Sequence, residues 1–251
     1  MTVYLDNNVV GYIEDGVYSL NHIKSLLPQG QLSFYYSPTH LFEADAFQGN
    51  NKTSKEDFLK KRFGTLQNNF SHCLYLNYQQ KKVIRYITTP KDVYENITSY
   101  PDTSVVIRGF TNMIPNSYKQ HLREQLGIDT KKLNNYDPLE VVEHLGRKLG
   151  EVDDSPTFMD FVEKAINFHP DAKEMGLHNR FAAIFEMLDM LGYWKDVQTV
   201  NSNYARMWDA FHVYYGSYCD YFISDDQRTR NKAKVLYNIY GIETTVLSSK
   251  G

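Results

Sequence analysis

The chain has few cysteines, no long apolar run and little charge imbalance, and each shortage closes a class of function. Of 251 residues only two are cysteine, Cys73 and Cys219. They lie far apart with no CxxC or Cys/His ligand spacing around them, so neither a disulfide framework nor a structural zinc site is expected. No segment is apolar for the ~18 residues that a membrane span needs. Met1 leads straight into a strand pattern rather than a basic and then apolar leader, so no secretory signal is expected and the default location is cytoplasmic. A net charge of −3 gives no global attraction to phosphate, so any nucleic-acid contact would have to come from local Lys and Arg. A Walker loop, a GxGxxG turn and a GxSxG elbow are all missing, which removes nucleotide-cofactor and serine-hydrolase chemistry. His144, His169 and His178 lack the i, i+4 pairing of a zinc protease.

What is present is a globular composition, 42% hydrophobic, with enough chain for one substantial core or a core carrying an inserted subdomain. Val3 to Leu5 is a short apolar run ended by Asp6 and two asparagines, which reads as a buried strand breaking into a loop. A first helix is expected over 17–27. Leu32 to Tyr36 is rich in strand formers, and Ser37-Pro38 after it supplies an N-cap and a first-turn proline, placing Glu43 on the helix that follows. Residues 55–70 carry Phe58, Leu59, Phe63 and Leu66 at helical spacing, with Lys60, Lys61 and Arg62 read as a solvated face. Val83 to Thr88 is the next expected strand. Residues 101–203 offer helix after helix, at 117–126, 138–149, 156–168 and 179–192, the third capped by Ser155. Strand patterns return in Tyr221 to Ile223 and Thr244 to Leu247, on either side of a helix over 227–240 closed by Gly241. A strand, a helix and a strand in short succession predict a parallel crossover. The expected fold class is therefore α/β: a small parallel sheet from 1–100 and 204–251, flanked by helices, with 101–203 as a helical insertion or elaboration packed on it.

Two aspartates, Asp6 and Asp226, directly follow strands. Ligands of open parallel sheets bind beyond the carboxyl ends of strands where strand order reverses. If these strands are neighbours the two carboxylates converge, at a cost of roughly 4 kcal/mol for 4 Å at an effective dielectric near 20. Such a cost calls for a raised pKa or a bound cation, and Mg²⁺ or Mn²⁺ suits hard oxygen ligands. Simpler readings stand beside this one. Ser224 and Gln227 have capping-box spacing, which would put Asp225 and Asp226 in a first helical turn where the dipole favours acids. Glu43 can be an exposed helix glutamate, Asp209 can belong to a solvated helix face, and His212 can be a packed helix histidine. The 20 tyrosines can stack on unpaired bases or simply fill a core.

Taken in order, Leu5-Asp6-Asn7-Asn8-Val9, then Ser37-Pro38-Thr39-His40-Leu41-Phe42-Glu43, then Asp209-Ala210-Phe211-His212, then Asp220 to Asp226, then Arg228-Thr229-Arg230-Asn231-Lys232-Ala233 and Gly241-Ile242, the chain resembles the PIN domain nucleases. In that family's pattern one residue separates the Ser or Thr from the acid, so the resemblance selects Asp226 over Asp225. The resemblance implies a PIN-like sheet and a catalytic, metal-holding set of Asp6, Glu43, Asp209 and Asp226. Asn8, Ser224 and Asp225 would steady carboxylates or coordinated water by hydrogen bonds. Arg228, Arg230 and Lys232 would receive substrate phosphates. The implied activity is endoribonuclease: hydrolysis of RNA phosphodiesters by water activated on Mg²⁺ or Mn²⁺ in an acidic cluster. The alternatives are a catalytically silent PIN-like module that binds RNA or protein, and a structure-specific DNA nuclease. A protein inhibitor or a second copy of the chain is an allowed partner, and a membrane is not.

Overall fold

A computed structural model describes residues 1–77, 82–99, 116–125, 127–129, 136–150, 157–167, 177–195 and 202–251. The chain divides into two compact units. The first consists of Met1–Thr103, Tyr215–Gln227 and Glu243–Gly251, the second of Ser104–Tyr214 and Arg228–Ile242.

The first unit is α/β. Its strands are β1 (Thr2–Leu5), β2 (Ser33–Tyr36), β3 (His72–Asn77), β4 (Lys82–Tyr86), β5 (Tyr221–Ile223) and β6 (Thr245–Leu247), and its helices are α1 (Asn7–Glu14), α2 (Leu20–Ser25), α3 (Pro38–Asp45), α4 (Lys55–Asn69) and α5 (Pro90–Thr98). The six strands form one sheet in the order β4-β3-β2-β1-β5-β6. Every neighbouring pair is parallel except β3 with β4. The alternation of a strand sends Val3, Leu5, Phe34, Tyr36 and Ile223 into one apolar cluster with Val9 and Val10 of α1, Leu41 of α3 and Leu66 of α4. Tyr4, on the opposite side of β1, meets Phe222 and Tyr215, with ring centroids 6.2 and 6.5 Å away.

The chain winds from β1 towards β4 on one side and resumes at β5 on the other, so strand order reverses between β1 and β5. Their register pairs Val3 with Tyr221, Tyr4 with Phe222 and Leu5 with Ile223. It is pinned at the amino ends by Thr2 N–H donating to Asp220 (2.7 Å) and Asp220 N–H donating to the Thr2 hydroxyl (2.9 Å). At the carboxyl ends Asp6 N–H donates to the Ile223 carbonyl (2.8 Å). Asp6 and Ser224 to Asp226 therefore leave the sheet side by side.

Several local expectations change. Asn7 and Asn8 do not open a loop but form the first turn of α1, because the Asp6 side chain caps the helix by accepting from Asn7 N–H. The helix expected over 17–27 is shorter and starts at Leu20, with Ser19 as its cap. β3 and α5 were not expected. Cys73 to Leu76 is a four-residue apolar run that only its pairing with β2 and β4 makes a strand. The helix read from 156 begins at Phe158, and Thr157 is its cap, its hydroxyl accepting from Asp160 N–H (3.1 Å). Ser155 lies outside the described residues.

The second unit is helical where it is described. It holds α6 (Asn116–Gln125), α7 (Val141–Gly150) after a short 3₁₀ turn, α8 (Phe158–Asn167), α9 (Leu177–Leu191), most of α10 (Ser202–Gly216) and most of α11 (Gln227–Tyr240). Helices α10 and α11 group with this unit rather than with the sheet. Their contacts with α9 and with each other give the reason. Phe181 stacks on Tyr240 at 5.6 Å and meets Tyr214 edge-on at 5.5 Å, and the Tyr237 hydroxyl donates to the Val213 carbonyl (2.7 Å). Across α6, α9 and α10 runs a buried ion network. Lys119 reaches Glu186 at 2.6 Å, and Arg206 reaches Glu186 at 2.9 Å and Asp189 at 3.0 Å. No helix among the described residues is long and apolar enough to cross a membrane. Both cysteines are buried free thiols, and burial pushes Cys219 up to about 12.

Candidate functional site

The candidate site is built where β1 and β5 end. Asp6 is buried, 2% exposed. One carboxylate oxygen, Oδ1, accepts from Asn7 N–H (2.7 Å), and Oδ2 accepts from the Asn8 amide (2.7 Å) and the Ser224 hydroxyl (2.6 Å). The Asn8 amide also lies 3.3 Å from Ser224 Oγ, and its carbonyl oxygen accepts from Asp225 N–H (3.1 Å). Ser224 completes the arrangement by accepting from Asp226 N–H (3.1 Å). One hydroxyl thus joins the carboxylate after β1 to the backbone of the acid after β5.

This geometry replaces the capping box. Helix α11 starts at Gln227, so Asp225 and Asp226 precede its first turn instead of occupying it. Ser224, fully buried, spends its hydroxyl on Asp6 and Asp226. Asp225 serves the fold. Its carboxylate accepts from Ser248 Oγ (3.2 Å) and Ser249 N–H (3.0 Å), and the Tyr18 hydroxyl approaches to 3.5 Å. Asp226 is half-buried.

Glu43 is also half-buried, on α3. It lies one helical turn after His40, which supports β1 from below. The His40 ring accepts Ser37 N–H at Nδ1 (3.2 Å), so its Nε2 carries the proton and donates to the Leu5 carbonyl (2.9 Å). The Tyr4 hydroxyl lies 2.6 Å from Ser37 Oγ. Burial raises the Tyr4 phenol well above its usual range; the Ser37 hydrogen bond opposes the rise, and Tyr215, Asp6 and Glu43 add to it. The Asp6 and Glu43 carboxylates are therefore both within electrostatic reach of one buried hydroxyl.

The remaining expected residues lie in the second unit. Asp209 is half-buried on α10, with His212 fully buried one turn on. On α11 Arg228 is exposed and Arg230 half-buried. Lys232 is 2% exposed with its ammonium 5.4 Å from the Phe185 ring centre. Among the described residues, no group of three or more His, Cys, Asp or Glu side chains is placed to hold a metal ion.

Sequence reading missed Arg62. Far from a solvated face, it is 2% exposed; its Nε and Nη2 donate to the two oxygens of Glu14 at 2.6 and 3.0 Å, and Nη1 donates to Asn7 Oδ1. The signal was present: Arg62 sits three residues after Leu59 and four before Leu66, on the apolar stripe of α4. Its neighbour Lys61 does face solvent, paired with Asp15 at 2.8 Å. Comparison with known proteins adds nothing to these observations: no protein-family model, curated protein or solved structure matches the chain.

Proposed function

We propose that this protein is a PIN-like, divalent-metal-dependent endoribonuclease whose site is centred on Asp6 and Asp226, with Glu43 as a further acid. The observation that carries the reading is the Ser224 hydroxyl, donating to Asp6 (2.6 Å) and accepting from Asp226 N–H (3.1 Å) at the point where strand order reverses. Two acids remote in sequence leave one end of the sheet together, and the donors on Asp6 fix its orientation. The donor set is hard oxygen, which suits Mg²⁺ or Mn²⁺. Mg²⁺ is commonly held through one or two carboxylates, with water and substrate phosphate filling the rest. Asp6 and Asp226 are the residues that would hold it. The ion, when bound, supplies an acidified water and charge stabilisation at phosphorus. The chain's own contribution is orientation: Asn8 and Ser224 hold the Asp6 carboxylate, and Glu43 would orient a water.

The test is cleavage of mixed structured and unstructured RNA and DNA by the purified protein, with Mn²⁺ or with chelator, beside Asp226→Asn. Divalent-dependent RNA cleavage lost in the variant is the expected result. Cleavage that persists in Asp226→Asn moves the chemistry elsewhere, and cleavage of DNA alone selects the structure-specific DNA nuclease. A second reading, a silent PIN-like module that binds RNA or protein, is favoured by the structural use of Asp6 as the cap of α1. Thermal melting separates the two. Mn²⁺ raises the melting temperature of an active site and not that of Asp6→Asn, whereas a silent module shows no shift in either.

A further inference from the structure

We propose that Arg62 is a positioning residue: its guanidinium grips α1 over two helical turns and thereby keeps Asp6 and Asn8 in register with Ser224 and Asp225. Asn7 and Glu14 are seven residues apart, so they lie on one face of α1 about 10 Å along its axis. Arg62 takes both. Its Nε and Nη2 form a fork on the Glu14 carboxylate (2.6 and 3.0 Å), and Nη1 reaches back to Asn7 Oδ1. Both ionised side chains are 2% exposed, and the Phe58 ring lies 5.6 Å from the guanidinium carbon.

A buried pair of this kind is a poor way to gain stability, because desolvating two charges consumes most of their attraction, and well-packed apolar substitutes commonly do as well or better. What it supplies is direction, since a planar fork with three donors in use fixes both the roll and the rise of the helix it grips. Those two coordinates matter at the amino end of α1. Asn7 N–H donates to Asp6 Oδ1 (2.7 Å), and Asn8, the next residue, bonds Asp6 Oδ2 (2.7 Å) and Asp225 N–H (3.1 Å). A small roll of α1 would carry Asn8 away from both partners and release the Asp6 carboxylate. As a statement about geometry this is independent of the nuclease reading; as a statement about catalysis it rests on it.

The experiment uses the full chain and two variants. In the double variant Arg62→Met with Glu14→Leu the charges are replaced by apolar side chains. In Arg62→Lys a point charge still neutralises Glu14 but cannot span to Asn7. Native-state hydrogen exchange at the Asp225 amide is measured with Mn²⁺-dependent RNA cleavage and thermal melting. The expected result is exchange at Asp225 about tenfold faster than in the parent, cleavage slower by up to about a hundredfold, and a melting temperature within about 4 °C. If the double variant melts lower than that, Arg62→Lys decides by the same readouts. Unchanged exchange at Asp225 in both variants overturns the proposal, as does a uniform rise in exchange across the unit that merely follows lost stability. A parent protein that cleaves no RNA sinks the nuclease reading alone, because exchange at Asp225 still reports on Arg62.

Discussion

The two units bury charged groups for different ends. In the helical unit, Lys119, Glu186, Asp189 and Arg206 form a side-chain network tying three helices, with Arg123 adding bonds to the carbonyls of Asp189 (2.9 Å) and Met190 (2.7 Å). The α/β unit has such a cross-link in Arg62 with Glu14, but its Asp6 and Asp225 bond chiefly where strands and helices begin or end: Asp6 at Asn7 N–H, Asp225 at Ser249 N–H, with the asparagine and serine of neighbouring elements between them. Cross-linked ions hold helices in register. Carboxylates on element termini are aimed instead, by neutral donors whose positions the backbone sets. The comparison teaches that the first arrangement should govern stability and the second should govern what the sheet end can do.

Breaking the network should give the largest change. Asp189→Asn leaves Arg206 and Lys119 short of a buried counter-charge and should cost about 3–5 kcal/mol in chemical denaturation; a loss below about 1 kcal/mol would erase the contrast. Acid should act on the same unit next. Burial pulls the His178 imidazole from 6.5 down to about 4, so the folded state takes up its proton less readily than the unfolded chain. Stability is therefore whole above pH 6.5 and falls as pH drops towards 4, by up to about 3 kcal/mol, a loss that His178→Phe should reduce.

At the sheet end the expected stability changes are smaller. Ser224→Ala removes the hydroxyl between Asp6 and Asp226 N–H and should cost about 2 kcal/mol by leaving buried polar groups short of a partner. Asp6→Asn keeps an acceptor for the α1 cap but turns an NH₂ toward the Asn8 amide, and should cost about as much, roughly 2 kcal/mol. Yet under the nuclease reading this is the variant in which Mn²⁺ stabilisation and RNA cleavage vanish. If Asp6→Asn instead destabilises as much as Asp189→Asn, Asp6 belongs with the structural charges and the silent module gains.

Much of the α/β framework was legible because its signals are local. Val3 to Leu5 and Tyr221 to Ile223 are apolar runs with acids within three residues of their ends, Ser37-Pro38 marks a helix start, and Gly241, at φ 60°, closes α11 where a left-handed residue is needed. The pairing of β5 with β6 follows from the short connection between them. Less was legible where one residue serves two geometries. Asn7-Asn8 reads as a loop from propensity, and becomes a helix only because Asp6 caps it and Arg62 grips it. Arg62 reads as a solvated cation and Lys232 as a phosphate contact, but a long aliphatic stem allows burial once a carboxylate or an aromatic face is supplied by another element.

Sequence alone determined the α/β class, the acids that follow the strands and the Ser37 cap of α3, because apolar period and capping are settled within a few residues of chain. The tertiary structure decided which acid is aimed and which is spent. Asp6, Ser224 and Asp226 are joined only because β1 and β5 are parallel neighbours, and Asp225 is taken up by Ser248 and Ser249 only because β6 ends beside it. A hydrogen bond spanning more than two hundred residues is a fact of strand order, which no local pattern encodes.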